Sequence, residues 1–238
     1  MSNPNRMKAM TGGILLFTCL ASAAADFKID PSHSEIMFRV KHMGINTVTG
    51  RFDAFQGAFT FDPKKIEATT GSATMEAKSI NTNNLKRDDH LRSDDFFNAE
   101  KFPQLKFQSK AVRKVNHKDS TCELVGDLTI RDVTKEIVLK VKGGGVMQDP
   151  WGNERAGFTA SGKVNRFDFG LKWNSLLETG GFVVGPEVEL MLTFEGMRPL
   201  APAPAATPAA APAAKPADKT AKPPLTPSQE KVRKSGGY

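Results

Sequence analysis

The sequence predicts an all-β fold of antiparallel strands, arranged as a barrel or a sandwich. The first observation is a two-residue period: Ile36, Phe38 and Val40 alternate with polar or charged neighbours, as in a strand with one buried face. The second is that such runs recur at short intervals, separated by turn residues such as those at 62–63 and 149–152. Strands of this kind must close on a common apolar interior.

Strand-like runs extend along most of the chain and account for its regular structure. They cover residues 27–30, 34–43, 47–61, 71–80, 104–115, 121–131, 135–147, 155–166 and 187–197. Their spacing is typical of antiparallel strands joined by short connections.

Residues 1–25 lie outside this fold and have the features of a secretory signal peptide. Arg6 and Lys8 precede an apolar run at 14–20, and small residues follow it. The run is too short to span a bilayer, which needs about 20 residues. We therefore expect cleavage before Asp26 and a mature protein that is periplasmic or secreted.

Residues 200–238 form an Ala/Pro repeat that ends in the basic sequence Lys231-Val232-Arg233-Lys234. This composition cannot pack a core, so we expect a disordered tail, with the envelope surface as its possible contact. The whole chain has a net charge of +7, but residues 26–199 carry 25 basic and 24 acidic side chains. That balance disfavours a nucleic-acid partner, which needs a clustered basic excess.

Residues 26–199 are long enough for one domain with a sizeable core. Cys122 is the only cysteine in this range, so no disulfide can form within it. We expect Cys122 to be a strand residue and not a nucleophile.

One segment, residues 84–92, interrupts the strand pattern. It places Leu85, Asp88 and Arg92 three and four positions apart, which is the spacing of one helix face. We expect a short helix with an ion pair between Asp88 and Arg92, and a second turn capped by Ser93. The open end of a barrel is the available place to bury the apolar residues of this segment, Leu91, Phe96, Phe97 and Phe102.

Many short motifs follow one another along the chain, and their order is more specific than any one of them. They are Ile29-Asp30-Pro31-Ser32-His33-Ser34, residues 38–42, Gly50-Arg51-Phe52, Ser79-Ile80-Asn81-Thr82, Arg87-Asp88, His90-Leu91-Arg92-Ser93, Asp95-Phe96-Phe97, Phe102-Pro103, Gly126-Asp127-Leu128-Thr129-Ile130, Val133-Thr134-Lys135 and residues 167–173. As a set, over roughly residues 26–197, they resemble the YceI-like lipid- and polyisoprenoid-binding family.

The resemblance implies an eight-stranded antiparallel barrel of the lipocalin-like type, with the helical insertion near one mouth. It also implies that the barrel interior holds a long isoprenoid or other lipid chain and that the family has no characterised catalytic residue set; we expect no cofactor. Two features depart from the family pattern: Asp132 stands where Gly usually precedes Val133-Thr134-Lys135, and the Ala/Pro tail is additional.

Phenylalanine connects this fold with a function, because the chain has sixteen Phe and a single Tyr. A barrel lined by Phe accepts a prenyl or acyl chain without leaving a polar group unpaired. A solidly packed core is the alternative, since eight-stranded barrels are often filled. The residues that we expect to contact the ligand are Ile36, Phe38, Val40, His42, Phe59, Met75, Leu91, Phe96, Phe97, Phe107, Phe158, Ala160, Trp173, Leu192 and Phe194.

Four polar residues are candidates for contact with a ligand head group. His42 continues the inward parity of its strand, so its imidazole would meet a head group or a neighbouring strand. Arg87, His90 and Arg92 of the helical insertion would lie near an anionic or polar head group at the barrel mouth.

Catalytic and metal-binding patterns are weak in this sequence. No pair of histidines has the spacing of metal ligands, so we expect no metal site. Asp88 and His90 could form an acid–base pair, but no nucleophile, oxyanion hole or Gly-rich loop accompanies them.

We therefore expect an exported lipid-binding protein that is not an enzyme, and a homodimer stays possible. Two alternatives remain open: an enzyme acting on a lipid or quinone-like substrate at the cluster of Arg87, Asp88 and His90, and a structural envelope protein with a filled barrel.

Overall fold

The structure, a computed structural model, describes residues 25–175 and 180–200. Within these residues, eleven strand segments form one antiparallel sheet. They are β1 (Ala25–Ile29), β2 (Glu35–His42), β3 (Asn46–Phe52), β4 (Phe55–Phe61), β5 (Thr70–Glu76), β6 (Ile80–Asn81), β7 (Gln104–Asn116), β8 (Thr121–Ile130), β9 (Val133–Gln148), β10 (Asn153–Asn165) and β11 (Val184–Pro199).

The sheet closes on itself as a barrel. Segments β1, β4, β5, β7, β8, β9, β10 and β11 are hydrogen-bonded in that order, and β11 pairs with β1 to complete the ring. Three strands of this ring are each built from two segments, because the chain breaks within the strand: β1 is continued by β2, β4 by β3 and β5 by β6. Along these continuations β2 pairs with β11 and with β3, and β3 pairs with β6. The predicted eight-stranded antiparallel barrel is therefore confirmed, with three of its strands interrupted.

One of these interruptions divides the predicted run 47–61. The chain turns at Asp53, whose carboxylate accepts hydrogen bonds from Arg51 Nε at 2.6 Å and Asn81 Nδ2 at 2.7 Å. These bonds tie β3 to β6 at the point where the continuous ladder stops. Hydrogen bonds from Asn81 and then Arg51 outweigh the effect of burial, and they lower the pKa of Asp53.

The barrel has two ends, which we call the mouth and the α1 end. The mouth is formed by the connections 62–69, 117–120 and 149–152. The α1 end is formed by the turns at 43–45 and 131–132 and by the long connection 82–103, which contains helix α1 (Leu85–Arg92). In the parts of the chain that the structure describes, no helix has both the length and the apolar character needed to cross a membrane.

Helix α1 is fixed to the barrel differently from the prediction. Asn84 accepts a hydrogen bond from the Arg87 amide at 3.1 Å and so caps the N-terminus. The expected ion pair between Asp88 and Arg92 is wrong: Arg92 pairs with Asp89 at 2.9 Å. Asp88 is only 3% exposed and accepts hydrogen bonds from the amide and the hydroxyl of Thr82.

Ser93 ends α1, and the predicted second short turn follows it, but the Ser93 side chain does not cap that turn. Its hydroxyl donates to the carbonyl of His90 at 2.7 Å, so its side chain caps the preceding helix. Residues 94–97 then form a turn, in which the Phe96 amide donates to the Ser93 carbonyl.

The turn between β8 and β9 tolerates the aspartate that replaces the usual glycine. The positive φ of this turn, +58°, falls on Arg131 and not on Asp132. The departure from the family pattern therefore introduces no left-handed backbone at Asp132.

The larger of two apolar clusters fills the α1 end of the barrel, and the smaller one joins β1, β4 and β10. The buried members of the large cluster are Ile36, Phe52, Met75, Ala77, Ile80, Ala99, Leu105, Leu128, Ile130, Val164, Phe169 and Leu171. The small cluster contains Phe27, Phe59 and Ala156. Packing at one end and along one wall leaves space in the middle of the barrel.

Candidate ligand cavity

A cavity of about 690 Å³ occupies the interior of the barrel. This volume lies within the range of about 300–1,000 Å³ that small-molecule sites typically have. Thirteen of the fifteen predicted contact residues line it: Ile36, Phe38, Val40, Phe59, Met75, Leu91, Phe96, Phe97, Phe107, Phe158, Ala160, Leu192 and Phe194.

Strand parity explains why these side chains face the cavity. In β2 the inward Ile36, Phe38 and Val40 alternate with Glu35 and Arg39, which are exposed. The antiparallel register continues this layer onto β11, where Ile36 is opposite Leu192, Phe38 opposite Leu190 and Val40 opposite Val188. Neighbouring strands thus present one continuous apolar surface.

Three of the lining Phe rings lie over glycines of adjacent strands. A Cβ added to Gly50 would come within 2.4 Å of the Phe38 ring. The same addition at Gly126 would come within 2.4 Å of the Phe107 ring, and at Gly196 within 2.3 Å of the Phe59 ring. The glycines let these rings lie close to the wall, which keeps the centre of the barrel open.

The floor of the cavity lies at the α1 end and is mostly apolar. Leu91, Phe96 and Phe97 cover it from the connection 82–103, and Phe169 and Leu171 cover it from the segment after β10. Phe96, Phe169 and Leu171 are at most 5% exposed, so the cavity is closed here.

Several lining residues were not among the predicted contacts, although most follow the same strand alternation. Leu105, Leu124, Leu128, Ile137, Leu139, Val141, Val188 and Leu190 belong to this group. Their inward parity is visible in the sequence, so they could have been found.

Arg166 also lines the floor, and no sequence signal indicated it. It is 3% exposed, and its guanidinium donates to the carbonyls of Gly185 at 3.0 Å, Val184 at 2.9 Å, Trp173 at 2.8 Å and Leu171. Burial lowers its pKa from the ordinary value of arginine. The side chain therefore joins the segments on both sides of the loop that follows β10.

The structure does not place His42 or Trp173 in the cavity lining. His42 lies opposite Val184, where the pairing of β2 with β11 shifts register, so the parity of the preceding residues does not extend to it. Trp173 packs outside the floor, with ring centroids 5.3 Å from Phe96 and 4.9 Å from His90.

The three predicted head-group residues of the insertion also do not line the cavity. Arg87 donates to the Thr82 hydroxyl at 2.7 Å and to the Thr82 carbonyl at 2.8 Å. Arg92 donates to the carbonyls of Lys78 at 2.8 Å and Ile80 at 3.0 Å. His90 lies 2.8 Å from a carboxylate oxygen of Asp95. Arg92 therefore ties helix α1 to Lys78 and Ile80 of the barrel wall, whereas the bonds of Arg87, His90 and the buried Asp88 stay within the connection 82–103.

The mouth is more polar than the floor. Thr69, His117, Ser120 and Cys122 line the cavity there, and His117 and Ser120 are exposed. His117 lies 3.4 Å from Glu67 across the rim. The Thr69 hydroxyl is buried, and it has no hydrogen-bond partner among residues 25–175 and 180–200.

Cys122 is half-buried at this end. Burial and, to a smaller extent, Glu67 raise the pKa of its thiol. The thiol therefore stays protonated at neutral pH, which suits a strand residue better than a nucleophile.

A charged cluster lies where the chain breaks between β1 and β2. Oxygen or nitrogen atoms of Asp30, His33 and Glu195 lie within 4.8 Å of one another, close enough to hold a cation. Arg155 already pairs with Asp30 and Glu195 and with Asp149. We interpret the group as an ion-pair clamp that joins the β1–β2 break to β10 and β11.

The clamp perturbs the acidity of its members. The hydrogen bond from His33 contributes most to lowering the pKa of Asp30 to about 2. Burial raises the pKa of Asp149, but hydrogen bonds from Asn153 and then Arg155 and the Trp151 amide bring it to about 2. Hydrogen bonds to Asp149, Glu195 and Asp30 raise the pKa of Arg155.

Comparison with known sequences extends the resemblance over the whole barrel. A family model described as the YceI-like domain matches residues 27–196. A UPF0312 protein of Pseudomonas aeruginosa is 41% identical over 197 residues, which cover 81% of this chain and 97% of that protein. Protein YceI of Escherichia coli O157:H7 is 39% identical over 194 residues, covering 79% and 95%.

Solved structures share the fold. The YCEI protein of Campylobacter jejuni matches with a TM-score of 0.58 and 29% identity, covering 79% of this chain and 99% of that chain. BcnA of Burkholderia cenocepacia matches with a TM-score of 0.59 and 22% identity, covering 70% and 98%. A polyisoprenoid-binding domain from Saccharophagus degradans matches with a TM-score of 0.54 and 15% identity, covering 74% and 99%.

Proposed function

Since the chain belongs to the YceI-like family, we propose that it is an exported lipid-binding protein. In this proposal the barrel holds a polyisoprenoid or a similar long apolar chain, for carriage or sequestration. The observation that carries it is the cavity of about 690 Å³, whose lining is dominated by Phe, Leu, Ile and Val side chains.

The lining suits an apolar chain energetically. Each methylene removed from water is worth about 0.8 kcal/mol, so a chain of many carbons binds tightly without specific polar contacts. Among the described lining residues only Arg166 carries a fixed charge, and its N–H groups are directed to backbone carbonyls. A hydrocarbon ligand therefore leaves no polar group newly unpaired along most of its length.

The name of the Saccharophagus degradans neighbour supports an isoprenoid as one class of ligand. That neighbour is only 15% identical, so the class of ligand comes to this chain as part of the proposal. The apolar lining is equally compatible with an acyl chain, because both kinds of chain are long, narrow and uncharged.

The cellular location is part of the same proposal. The basic and apolar pattern of residues 1–25 supports export, with cleavage before Asp26 and a periplasmic or secreted barrel. These residues precede the described part of the chain. Mass spectrometry of the mature protein from an envelope fraction would test it, and a chain that still begins at Met1 would contradict it.

Neither alternative function receives support from a specific contact. A filled barrel does not agree with a cavity of this volume. The predicted acid–base pair of Asp88 and His90 does not form, because Asp88 is 3% exposed and bonded to Thr82 while His90 pairs with Asp95.

Native mass spectrometry of the purified full-length protein tests the proposed function, followed by lipid extraction of whatever remains bound. We expect a discrete hydrophobic adduct, and we expect the delipidated protein to bind a long-chain isoprenoid alcohol again. A protein that is folded, consistently empty and unable to bind such a chain would contradict the proposal.

A further inference from the structure

We propose that the ligand binds tail first, with its chain end at the floor and an oxygen-bearing head group at the mouth. This inference rests on the proposed function and adds the orientation and the chemical class of the ligand. It assigns hydrogen bonding to the head group to the polar lining residues Thr69, His117 and Ser120. The ligand is thus an amphiphile with one long apolar chain and a hydrogen-bond-accepting oxygen at one end.

The floor cannot accommodate a head group without desolvating it. Phe96 is 5% exposed, Phe169 1% and Leu171 5%, and together with Leu91 and Phe97 they form an apolar end wall. A hydroxyl or carbonyl placed against this wall would lose its hydrogen bonds to water and find few replacements. A methyl terminus meets no such cost.

Three arginines at or near the floor already donate hydrogen bonds to other groups of the protein. The guanidinium of Arg166 donates to four backbone carbonyls, on Gly185, Val184, Leu171 and Trp173. Arg87 and Arg92 donate to Thr82, Lys78 and Ile80, and neither lines the cavity. An anionic or polar head group at this end would have to break existing bonds of the barrel.

The mouth offers donors instead. Ser120 and His117 are exposed and line the cavity, so a head group there keeps contact with water while it gains hydrogen bonds. Thr69 adds a buried hydroxyl that has no partner in the described part of the chain. Rotation of χ1 exchanges this hydroxyl with the methyl group on the same carbon, so Thr69 can present either to the cavity.

Fluorescence can establish the orientation, because the chain has two tryptophans and they lie at opposite ends. Trp173 packs 5.3 Å from Phe96 behind the floor, whereas Trp151 is at the tip of the β9–β10 connection and 79% exposed. In the full-length Trp151→Phe variant, Trp173 alone reports on the floor. The probes are two long-chain fatty acids, one with a nitroxide at the methyl end and one with it near the carboxyl group.

We expect the methyl-end nitroxide to quench Trp173 severalfold more than the carboxyl-end nitroxide at equal occupancy, measured by native mass spectrometry. Equal quenching, or stronger quenching by the carboxyl-end probe, overturns the orientation while leaving lipid binding intact. If neither fatty acid forms an adduct, the orientation proposed for such amphiphiles fails, whereas the proposed function is decided separately by rebinding of the isoprenoid alcohol.

A second experiment isolates the head-group contact. Thr69→Val removes the hydroxyl at nearly constant shape, and because that hydroxyl is buried without a partner the variant should fold at least as well. We expect about fivefold weaker binding of a long-chain alcohol, the loss of one neutral hydrogen bond. Binding of the alkane of equal length should not change.

The matched control is Thr159→Val on β10, which is exposed on the outer face of the barrel. It should bind the alcohol and the alkane like the original protein. Equal losses for both ligands in Thr69→Val, or no loss for the alcohol, would remove Thr69 from the head-group site.

Discussion

The ring of Phe107 lies against the backbone of Gly126 on the neighbouring strand. A Cβ on Gly126 would be 2.4 Å from Cζ of Phe107 and 2.7 Å from the backbone oxygen of Gln108, so the ring would have to move away from β8 and the wall would have to shift as well. The ring sits on the inner face of the wall, so the space into which it would move is the cavity. The size of the ligand site is therefore set partly by a residue that has no side chain.

Gly126→Ala should make the cavity smaller and strain the wall. We expect the free energy of unfolding to fall by about 1–3 kcal/mol, as in other overpacked interiors, and bound lipid to decrease. Chemical denaturation and native mass spectrometry measure the two effects. Gly157→Ala is the control, because its added Cβ would lie 3.6 Å from the nearest atom.

The double variant Gly126→Ala with Phe107→Leu separates this overlap from other effects of the new methyl group. We expect it to recover stability relative to the sum of the two single changes. Strict additivity would show that Phe107 and Gly126 are not coupled.

Ala160→Phe should displace ligand while the protein stays folded. Ala160 is 7% exposed and faces the cavity, so a phenyl ring there occupies the space of several methylene groups. Ser161→Phe, one residue further on the exposed face of β10, is the matched control and should retain its lipid. Undiminished lipid in a folded Ala160→Phe protein would show that the bound chain does not pass this position.

Asp88→Asn should loosen helix α1. The carboxylate of Asp88 is buried and accepts two hydrogen bonds from Thr82, so we expect a loss of about 1.5–3 kcal/mol in the free energy of unfolding. Asp89→Asn is the control: Asp89 is 76% exposed and pairs only at the surface with Arg92, so its loss should be below about 1 kcal/mol. Equal effects of the two changes would contradict the assigned role of Asp88.

Acid should destabilise the barrel through the ion-pair clamp. The pKa values of Asp30 and Asp149 are about 2 in the folded protein, below the value of about 3.9 in an unfolded chain. The unfolded state therefore binds more protons between these values, so this contribution is present above about pH 4 and is lost as the pH falls towards 2. Denaturant unfolding at a series of pH values measures it.

Asp149→Asn removes one of the two carboxylates of the clamp whose pKa is lowered. The dependence of unfolding free energy on pH should become shallower between about pH 4 and 2, whatever the change in absolute stability. An unchanged slope would mean that Asp149 does not have a lowered pKa.

Deletion of residues 200–238 should leave the melting temperature and the bound lipid unchanged, because the family match ends at residue 196. The deleted segment carries six basic and two acidic residues, so we expect weaker, salt-sensitive association with anionic vesicles. Equal association of the full-length and shortened proteins would remove the predicted role of the tail as a surface tether.

The sequence was sufficient for the wall of the barrel. Strand positions and inward faces follow from two-residue alternation, which by itself assigns Phe38, Phe158 and Leu192 to the interior, where the structure places them. The alternation of inward and outward side chains predicts the inner face only where the hydrogen-bonded pairing of neighbouring strands is regular. It failed for His42, which lies beside the register shift of β11.

The ends of the barrel were harder to predict, because there the side chains bond to irregular backbone. Arg92 and Arg166 donate mainly to carbonyl groups of other segments, and Arg87 donates to Thr82 within its own connection; no spacing rule gives such partners. A basic helix near an apolar barrel predicts a head-group site. In the structure, however, the arginines of this helix bond to other parts of the protein and have a structural role. The buried Asp88 was misassigned for the same reason.

The first and last strands of the barrel meet along a seam in two parts, because first β1 and then β2 pairs with β11. Segment β1 pairs with β11 only at Lys28 with Met197 and Ile29 with Gly196. At the adjoining break the hydroxyl of Ser34 bonds to the backbone of Glu195, 161 positions away. Closing so long a loop is entropically costly, and the folding of such barrels is correspondingly slow. The barrel encloses its interior only when this seam has formed, so a chain synthesised from its N-terminus can enclose a guest only after its final strand has joined its first.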